Sequence, residues 1–252
     1  MRFDKVKFWS EDGVGVVAID NGELNLLDLD VLTQLMAALT IANQDPNVGK
    51  VVVTATQAAY FTAGVDWGSL GSDYSSVREF VRAVKSLFAL LITSTKPIFT
   101  VLNGSAVGLG VELALASDLA IAPPDIYLCY PEGMFGVPMA FQGHVLLSRL
   151  PRLEALRFMM GESATPEKWA NYGIIHLLPR PNLMGDAKEV VKAINIPPSA
   201  RQIMHRLDRL MLDEAEPIYL DSVAPKLIGP ERGEFIKAVR GLAVRCRSRF
   251  RP

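Results

Sequence analysis

Hydrophobic residues form short runs through the first half of the chain, and the segments between the runs carry apolar side chains at helical spacing. The runs are rich in β-branched residues, which predicts buried strands. They span residues 5–8, 14–19, 50–55, 97–102 and 119–122. Strands that alternate with helices favour βαβ units, in which helices cover a largely parallel sheet.

Helices are predicted where apolar residues recur every three or four positions. A first long helix over residues 28–43 opens with Asp28 and Asp30, a residue type suited to a helix N-terminus. A second, over residues 77–92, ends before Pro97, because the residue that precedes a proline avoids the helical conformation. Further helices are expected at 143–150, 154–160, 166–172, 200–213 and 232–249, with breaks at 179–182 and 195–198.

The length of 252 residues, 50% of them hydrophobic, suffices for one large α/β unit with an appended region. We expect an α/β core in residues 1–195 and a helical C-terminal region in residues 196–252. Charge is nearly balanced, with 26 Lys and Arg against 27 Asp and Glu. This balance gives no general attraction to nucleic acid or to an anionic membrane, so neither partner is expected.

Cysteine use and the N-terminal sequence bear on location. Cys129 and Cys246 are too few and too far apart to suggest a disulfide framework, and no Cys or His spacing typical of a metal site occurs. The first residues lack the apolar centre of a secretion signal. Residues 101–122 are apolar enough for a membrane span, but Glu112 near their middle favours a loop and a buried helix instead. We expect a cytoplasmic protein without a metal.

The first segment with chemical potential is the glycine-rich stretch of residues 104–112. Gly104, Gly108 and Gly110 lie between a predicted strand and a predicted helix. Glycines at such a junction expose free backbone N–H groups, and the first helical turn adds a partial positive charge, so the segment suits an anion or a developing oxyanion. A dinucleotide-binding loop is the rival interpretation, but the spacing is not G-x-G-x-x-G.

Two more segments carry groups of the same kind. Residues 60–66 contain Gly64 before an exposed N–H, and Asp66 can bond the backbone of the turn. Glu132 lies in an apolar stretch, where burial would raise its pKa and let it exchange protons near neutral pH. Glu112 is a second carboxylate, in the first turn of the glycine-rich helix. Alone, each has an ordinary explanation as a turn, an exposed acid or a helix-terminal acid.

Together and in this order, these segments resemble the crotonase superfamily, the enoyl-CoA hydratases and isomerases. The likeness is carried by NLL from Asn25, FTAGVD from Phe61, KPIFTVLNGSAVGLGVELALASDLAIA from Lys96, PEGMFG from Pro131 and GESATPEKWANYGIIHLL from Gly161. It therefore spans most of the chain. The resemblance implies a crotonase-like ββα spiral core with a helical C-terminal trimerisation region, and a coenzyme A thioester as substrate with no separate cofactor.

The resemblance also implies roles for individual residues. Val65 and Leu109 would supply the N–H groups of an oxyanion hole, and Glu112 and Glu132 would be the catalytic carboxylates. Substrate contacts would come from Ala63, Gly64, Asp66, Trp67, Gly108, Gly110, Pro131 and Phe141. The implied assembly is a homotrimer or a dimer of trimers.

The presence of both glutamates favours an enoyl-CoA hydratase, because two carboxylates can hold one water and exchange its protons. Glu112 would activate the water that adds to C3, and Glu132 would protonate C2. Two alternatives stay open: a double-bond isomerase that uses Glu132 alone, and an acyl-CoA-binding protein without catalysis. A serine-hydrolase site built on His144 with Ser105 or Ser148 is not supported, since no G-x-S-x-G elbow occurs.

Three positions depart from the family's pattern. Trp67 and Gly68 stand where many relatives have a basic residue, which weakens the case for a phosphate contact there. Leu109 stands where Gly is usual, so we expect a narrower acyl pocket or a strained backbone. Residues 142–144, Gln-Gly-His, replace the more usual glycine pair after Glu132. They should line the acyl end of the site, where they would affect substrate preference.

Overall fold

The computed structural model describes residues 3–57 and 59–248, with side chains described through residue 243. Its first two strands form a hairpin, in which β1 (Val6–Glu11) pairs antiparallel with β2 (Val14–Ile19). Asp12 and Gly13 join them with positive φ angles of 52° and 78°. Two consecutive positive φ angles are what a two-residue turn between twisted strands requires.

The remaining strands fall into two sheets. They are β3 (Lys50–Ala55), β4 (Tyr60–Thr62), β5 (Ile98–Val101), β6 (Ser105–Val107), β7 (Leu119–Ala122), β8 (Leu128–Cys129) and β9 (Ile175–Leu177). A six-stranded sheet has the order β1-β2-β3-β5-β7-β9 and is parallel beyond the hairpin, while β4-β6-β8 form a second, parallel sheet. The pairs β3–β4, β5–β6 and β7–β8 each give one strand to each sheet, so the chain winds as a ββα spiral.

Ten α-helices are found within the described residues. They are α1 (Leu29–Gln44), α2 (Tyr74–Thr93), α3 (Leu109–Leu115), α4 (Gly143–Arg149), α5 (Arg152–Met159), α6 (Pro166–Ala170), α7 (Leu183–Ala193), α8 (Pro198–Met204), α9 (Arg206–Ile228) and α10 (Arg232–Ser248). The side chain of Asp28 caps α1 by accepting the N–H of Val31 at 2.7 Å. The expected α/β fold with a helical C-terminal region is thus confirmed, while the boundary at residue 195 stays a prediction.

The helix predicted over residues 200–213 is wrong in its extent. The chain breaks at His205, between α8 and α9, and α9 then continues to Ile228 with Pro217 and Pro225 inside it. Prolines each remove a helical hydrogen bond. They are tolerated here because α9 packs along α2 and buries one face against the core.

A buried ionic network fastens the C-terminal helices to the core. Arg201 of α8 donates to Asp118 at 2.7 Å. The same guanidinium donates to the carbonyl oxygens of Leu91, Ile92 and Ser94. Because a helix leaves its last carbonyls without partners, this single arginine satisfies the end of α2 while it holds α8 in place.

Two histidines extend this network towards α4. His205 bonds Asp118 at 3.0 Å and Asp208 at 2.7 Å. His144, in the first turn of α4, reaches the other oxygen of Asp208 at 2.7 Å. The start of α4 is therefore tied to α9.

Cys129 of β8 is buried and disulfide-bonded, a bond that the spacing of the two cysteines does not suggest. The side chain of Cys246, the other cysteine of the sequence, lies outside the described part. Among the helices that the structure describes, none is both long enough and apolar enough to cross a membrane. In the same residues no group of three or more His, Cys, Asp or Glu is placed to hold a metal ion. The cytoplasmic location stays a prediction.

Candidate active site

Glu112 lies in the first turn of α3 and its residue is only 1% exposed. Its Oε2 accepts the backbone N–H groups of Phe141 and Gln142, at 2.9 and 2.8 Å. Its Oε1 has no hydrogen-bond partner among the described residues. Burial raises the pKa of Glu112 to about 8. The two N–H donors lower this pKa and the charge of Glu132 raises it, but both effects are smaller than that of burial. This carboxyl can therefore gain or lose a proton near neutral pH.

Glu132 follows Pro131 in a short 3-10 helix (Pro131–Phe135) and is 2% exposed. Its Oε2 is likewise without a partner in the described part of the chain. Burial raises the pKa of Glu132 to about 7. Two buried carboxyls thus both titrate near neutral pH, and each keeps one oxygen without a partner among the described residues.

The carboxylate of Glu132 lies against two glycines from different loops. Gly108 has φ 55° and ψ −122°, and a Cβ at that position would fall 2.1 Å from Glu132 Oε1. Gly64 has φ +91°, and its Cβ would lie 3.6 Å from the same oxygen. Both backbone conformations favour glycine, and at Gly108 there is also no space for a Cβ. The residues that follow them are Val65 and Leu109, so the two expected N–H donors flank Glu132.

Neither of these N–H groups has an acceptor in the described chain. Val65 lies opposite Leu27 in an isolated β-bridge, but the residues on either side of Val65 make its hydrogen bonds. The N–H of Leu27 donates to the carbonyl of Gly64 at 2.9 Å, and the N–H of Asp66 donates to the carbonyl of Leu27 at 3.0 Å. Leu109 begins α3, where an N–H has no partner within the helix. Two free donors beside a buried carboxylate form a site suited to a developing oxyanion.

The backbone strain expected at Leu109 is not found. Among the described non-glycine residues, positive φ occurs only at Asp12 and Asn25. Leu109 has its side chain buried in the hydrophobic core. Its N–H is therefore presented by an ordinary first turn of helix.

Asn25 explains the NLL segment. It is buried with φ 47°, its Nδ2 donates to the carbonyl of Tyr60 at 3.1 Å, and its Oδ1 accepts the N–H of Asn21 at 2.9 Å. These bonds fasten the loop before α1 to β4, and so set Leu27 beside Val65.

A pocket of about 380 Å³ opens beside Val65. Ala63 and Trp67 line one wall, and α10 contributes Arg240 and its neighbours to another. The expected turn bond of Asp66 is present, since its Oδ1 accepts the N–H of Gly68 at 3.2 Å. The same oxygen accepts from Arg240 at 2.7 Å. Arg240 of the C-terminal helix α10 thus brings a cation to the turn at Trp67 and Gly68, where the sequence has no basic residue of its own.

Aromatic side chains pack around Phe141, the residue whose N–H donates to Glu112. Phe141 stacks on Phe88 with ring centroids 5.0 Å apart, and it also contacts Tyr219 of α9 at 5.5 Å. Burial raises the pKa of the Tyr219 and Tyr130 hydroxyls well above 10, and the charges of the two glutamates raise it further. Tyr219 and Arg240 are site residues that sequence reasoning missed, because no local pattern marks them.

Two of the expected substrate contacts have packing roles. A Cβ on Gly110 would lie 2.4 Å from Cγ2 of Thr62, so this glycine lets α3 approach β4. Pro131 is buried at the start of the 3-10 helix that carries Glu132. The structure brings together Gly64, Val65, Gly108, Leu109, Glu112, Glu132 and Phe141, and it places Ala63, Asp66 and Trp67 at the neighbouring pocket.

Known proteins are similar to this chain in sequence and in fold. The Crotonyl-CoA hydratase of Syntrophomonas wolfei is 30% identical over 155 residues, which cover 61% of this chain and 58% of that protein, less than two thirds of its length. The Short-chain-enoyl-CoA hydratase of Clostridium acetobutylicum is 26% identical over 219 residues, or 84% of each chain. An enoyl-CoA hydratase structure from Mycobacterium avium subsp. paratuberculosis has a TM-score of 0.81 at 19% identity, over 95% of this chain and 97% of that one.

The structural likeness confirms the crotonase-like fold. The family model described as Enoyl-CoA hydratase/isomerase matches residues 10–222, which is most of the chain. That match includes both loops with free N–H donors and both buried glutamates. The chain therefore belongs to the enoyl-CoA hydratase/isomerase family.

Proposed function

We propose that the protein is an enoyl-CoA hydratase, which adds water in the syn sense across the C2–C3 double bond of an acyl-CoA thioester. One observation carries the proposal: Glu112 and Glu132 are both buried, and each keeps one carboxyl oxygen without a protein partner. Unpaired buried oxygens of this kind need a ligand or a water. The family of the chain supports a coenzyme A ester as that ligand, and no other cofactor is invoked.

The N–H groups of Val65 and Leu109 would hold the thioester oxygen. As water adds, charge moves from C3 towards this oxygen and an enolate forms. Donors fixed in advance stabilise such charge without reorganising, and removal of one donor from an oxyanion hole typically slows a reaction by about 10²–10³.

The assignment of the two acids follows from their positions. Glu132 lies beside the glycines that precede both donors, so it is the acid nearer the thioester carbonyl and therefore nearer C2. Glu112, held by the N–H groups of Phe141 and Gln142, is the acid assigned to the water at C3. In the addition, Glu112 takes a proton from water as the C3–O bond forms, and Glu132 gives its proton to C2.

The pKa values of about 8 for Glu112 and about 7 for Glu132 let both carboxyls exchange protons near neutral pH. Because the two charges repel, the pair releases its protons in separate steps. Near neutral pH one carboxyl is charged while the other is neutral. That singly charged pair contains one base and one acid. Because Glu112 has the higher pKa, the proton lies mainly on Glu112, and the addition proceeds from the arrangement of the pair in which the proton lies on Glu132.

Isomerisation of the double bond is the second candidate, and one observation favours it. Glu132 reaches both donor loops, so it alone could carry a proton between C2 and C4 of an enoyl chain. Glu112 would then take no part in the proton transfer. A strained backbone at Leu109 would favour the third candidate, a binding protein without catalysis, and the backbone found there is not strained.

We also propose self-association as a homotrimer or a dimer of trimers. Helices α8 and α9 carry large apolar side chains in water, with Ile203, Leu207 and Leu210 exposed by 73%, 57% and 66%. Large exposed apolar side chains that lie close together in the sequence favour an interface with another chain.

The test uses purified protein with trans-2-enoyl-CoA substrates of four and ten acyl carbons. Loss of the conjugated thioester absorbance, with a product heavier by one water, supports hydration. A 3-enoyl-CoA in a parallel reaction reports isomerisation through a gain of the same absorbance. Tight acyl-CoA binding with neither reaction would leave only the binding protein.

A further inference from the structure

Gln142 carries a buried amide that the proposed hydration does not use. The residue immediately precedes α4 and is 0% exposed. Neither its Nε2 nor its Oε1 has a hydrogen-bond partner among the described residues. Buried side-chain amides in folded proteins are nearly always paired, so an amide with both ends unpaired points to a ligand or a water that completes it.

The backbone of Gln142 is fixed at the reacting end of the site. Its N–H donates to Glu112 Oε2 at 2.8 Å, the carboxylate assigned to the water at C3. From that nitrogen the carboxamide extends by roughly 5 Å at standard bond lengths. The amide therefore lies no more than one side-chain length from the N–H that holds Glu112, a distance comparable to a few carbon–carbon bonds of an acyl chain.

The residue before Gln142 packs among aromatic side chains. Phe141, the preceding residue, packs between Phe88 and Tyr219. The amide itself has no partner among the described residues, and in a buried position it is costly to leave unpaired and gains from pairing.

We infer that Gln142 determines acyl specificity, by hydrogen bonding to an oxygen-bearing acyl chain at a carbon beyond C3. A hydroxyl on that carbon can accept from Nε2 or donate to Oε1, whereas a methyl group leaves both atoms unpaired. The inference rests on the proposed acyl-CoA ligand. It deepens that proposal by naming the substrate class: hydroxylated rather than purely hydrocarbon acyl groups.

The experiment compares two saturated esters of equal size, 4-hydroxybutyryl-CoA and pentanoyl-CoA, by calorimetric titration of the full-length protein. A second pair, 5-hydroxypentanoyl-CoA and hexanoyl-CoA, moves the hydroxyl by one carbon. Gln142→Met keeps the length of the side chain and removes its polar atoms. Gln202→Met, at an exposed position of α8, is the matched control.

We expect the wild type to bind the hydroxylated member of at least one pair fivefold or more tightly, and Gln142→Met to shift that ratio by at least about tenfold towards the hydrocarbon ester. The control should leave the ratio unchanged. The thermal unfolding temperature of ligand-free Gln142→Met should not be lower than that of the wild type, because the substitution removes two unpaired buried polar atoms.

Equal binding of both members in both pairs by the wild type would overturn the inference without any variant, and would indicate that a water completes the amide. The same holds if Gln142→Met folds and keeps the wild-type ratio within twofold. Binding of all four esters without preference leaves the proposed function standing. No binding of any ester overturns both proposals.

Discussion

The backbone of Gly108 lies against the carboxylate of Glu132, so closely that a Cβ on Gly108 would fall 2.1 Å from Oε1. Glu132 comes from a 3-10 helix that follows β8, and Gly108 from the turn between β6 and α3. Glu132, the proposed proton donor, can thus take this position only because residue 108 has no side chain. Gly108 lies in the loop that also carries Leu109, a proposed oxyanion donor.

We expect Gly108→Ala to lower kcat/KM for an enoyl-CoA by at least about a hundredfold, because the carboxylate must move by about an ångström and misplacement of that size costs such a factor. Gly173→Ala is the control, since Gly173 also has a positive φ, +68°, but nothing lies within 4 Å of its would-be Cβ. The control should lose stability and keep its activity. Full activity in a folded Gly108→Ala would show that Glu132 is not placed by this contact.

The pH dependence of hydration separates the two candidate reactions. With pKa values of about 7 for Glu132 and about 8 for Glu112, kcat/KM should rise and then fall, with limbs near these values. At lower pH both carboxyls are protonated and no base is available, while at higher pH both are charged and no acid remains for C2. A profile with a single rising limb would indicate one working base, as in an isomerase.

The attachment of the C-terminal helices should depend on the charge of His205. Burial alone would lower the pKa of His205, but its hydrogen bonds to Asp118 and Asp208 raise it above 6.5. A raised folded-state pKa gives stability that is present below 6.5 and is lost as pH rises through the folded value. We therefore expect thermal stability to decline above that pH, and His205→Gln to flatten the decline.

The two carboxylates of this network act in the opposite direction. The pKa values of Asp118 and Asp208 fall below 3.8: burial opposes the shift, and the histidine partners, together with Arg201 for Asp118, outweigh it. Their stabilisation is present above 3.8 and is lost as pH falls through their folded values. Protease cleavage within residues 198–228 should thus be slowest at pH values above 3.8 and below 6.5, where the carboxylates and His205 all stabilise the network. Equal cleavage rates from pH 5 to pH 9 would contradict this account of the network.

Self-association can be tested on α9. Leu207→Glu with Leu210→Glu should convert the assembly to monomers in light-scattering chromatography, because two charges would be buried at the proposed interface. Ile41→Glu changes an exposed apolar residue on α1 and should leave the mass unchanged. An unchanged mass in the double variant would place the interface elsewhere.

The longer elements were predictable because each buries a continuous apolar run. All six residues of β2 are buried, and α1 follows an apolar helical repeat behind a capping Asp28. The second sheet was not predictable, since β4 and β8 have three and two residues. Strands that short carry no periodicity, and they form only because β6 pairs with both.

The two glutamates and the two glycine loops could be singled out from the sequence as candidates because they lie in local motifs, and their roles stay predictions. Tyr219 and Arg240 could not, because each arrives on a C-terminal helix whose docking is decided by distant contacts. The state of Gln142 is a third case. Its identity is visible in the sequence, but its lack of partners is a property of the packing around it.

The most direct test of the central claim is the rate of formation of 3-hydroxyacyl-CoA from a trans-2-enoyl-CoA by the wild type, Glu112→Gln and Glu132→Gln. The account predicts turnover by the wild type and a loss of at least about a hundredfold in each variant, with acyl-CoA binding retained. Hydration at the wild-type rate by Glu112→Gln, or a wild type that binds the ester without hydrating it, would contradict the claim.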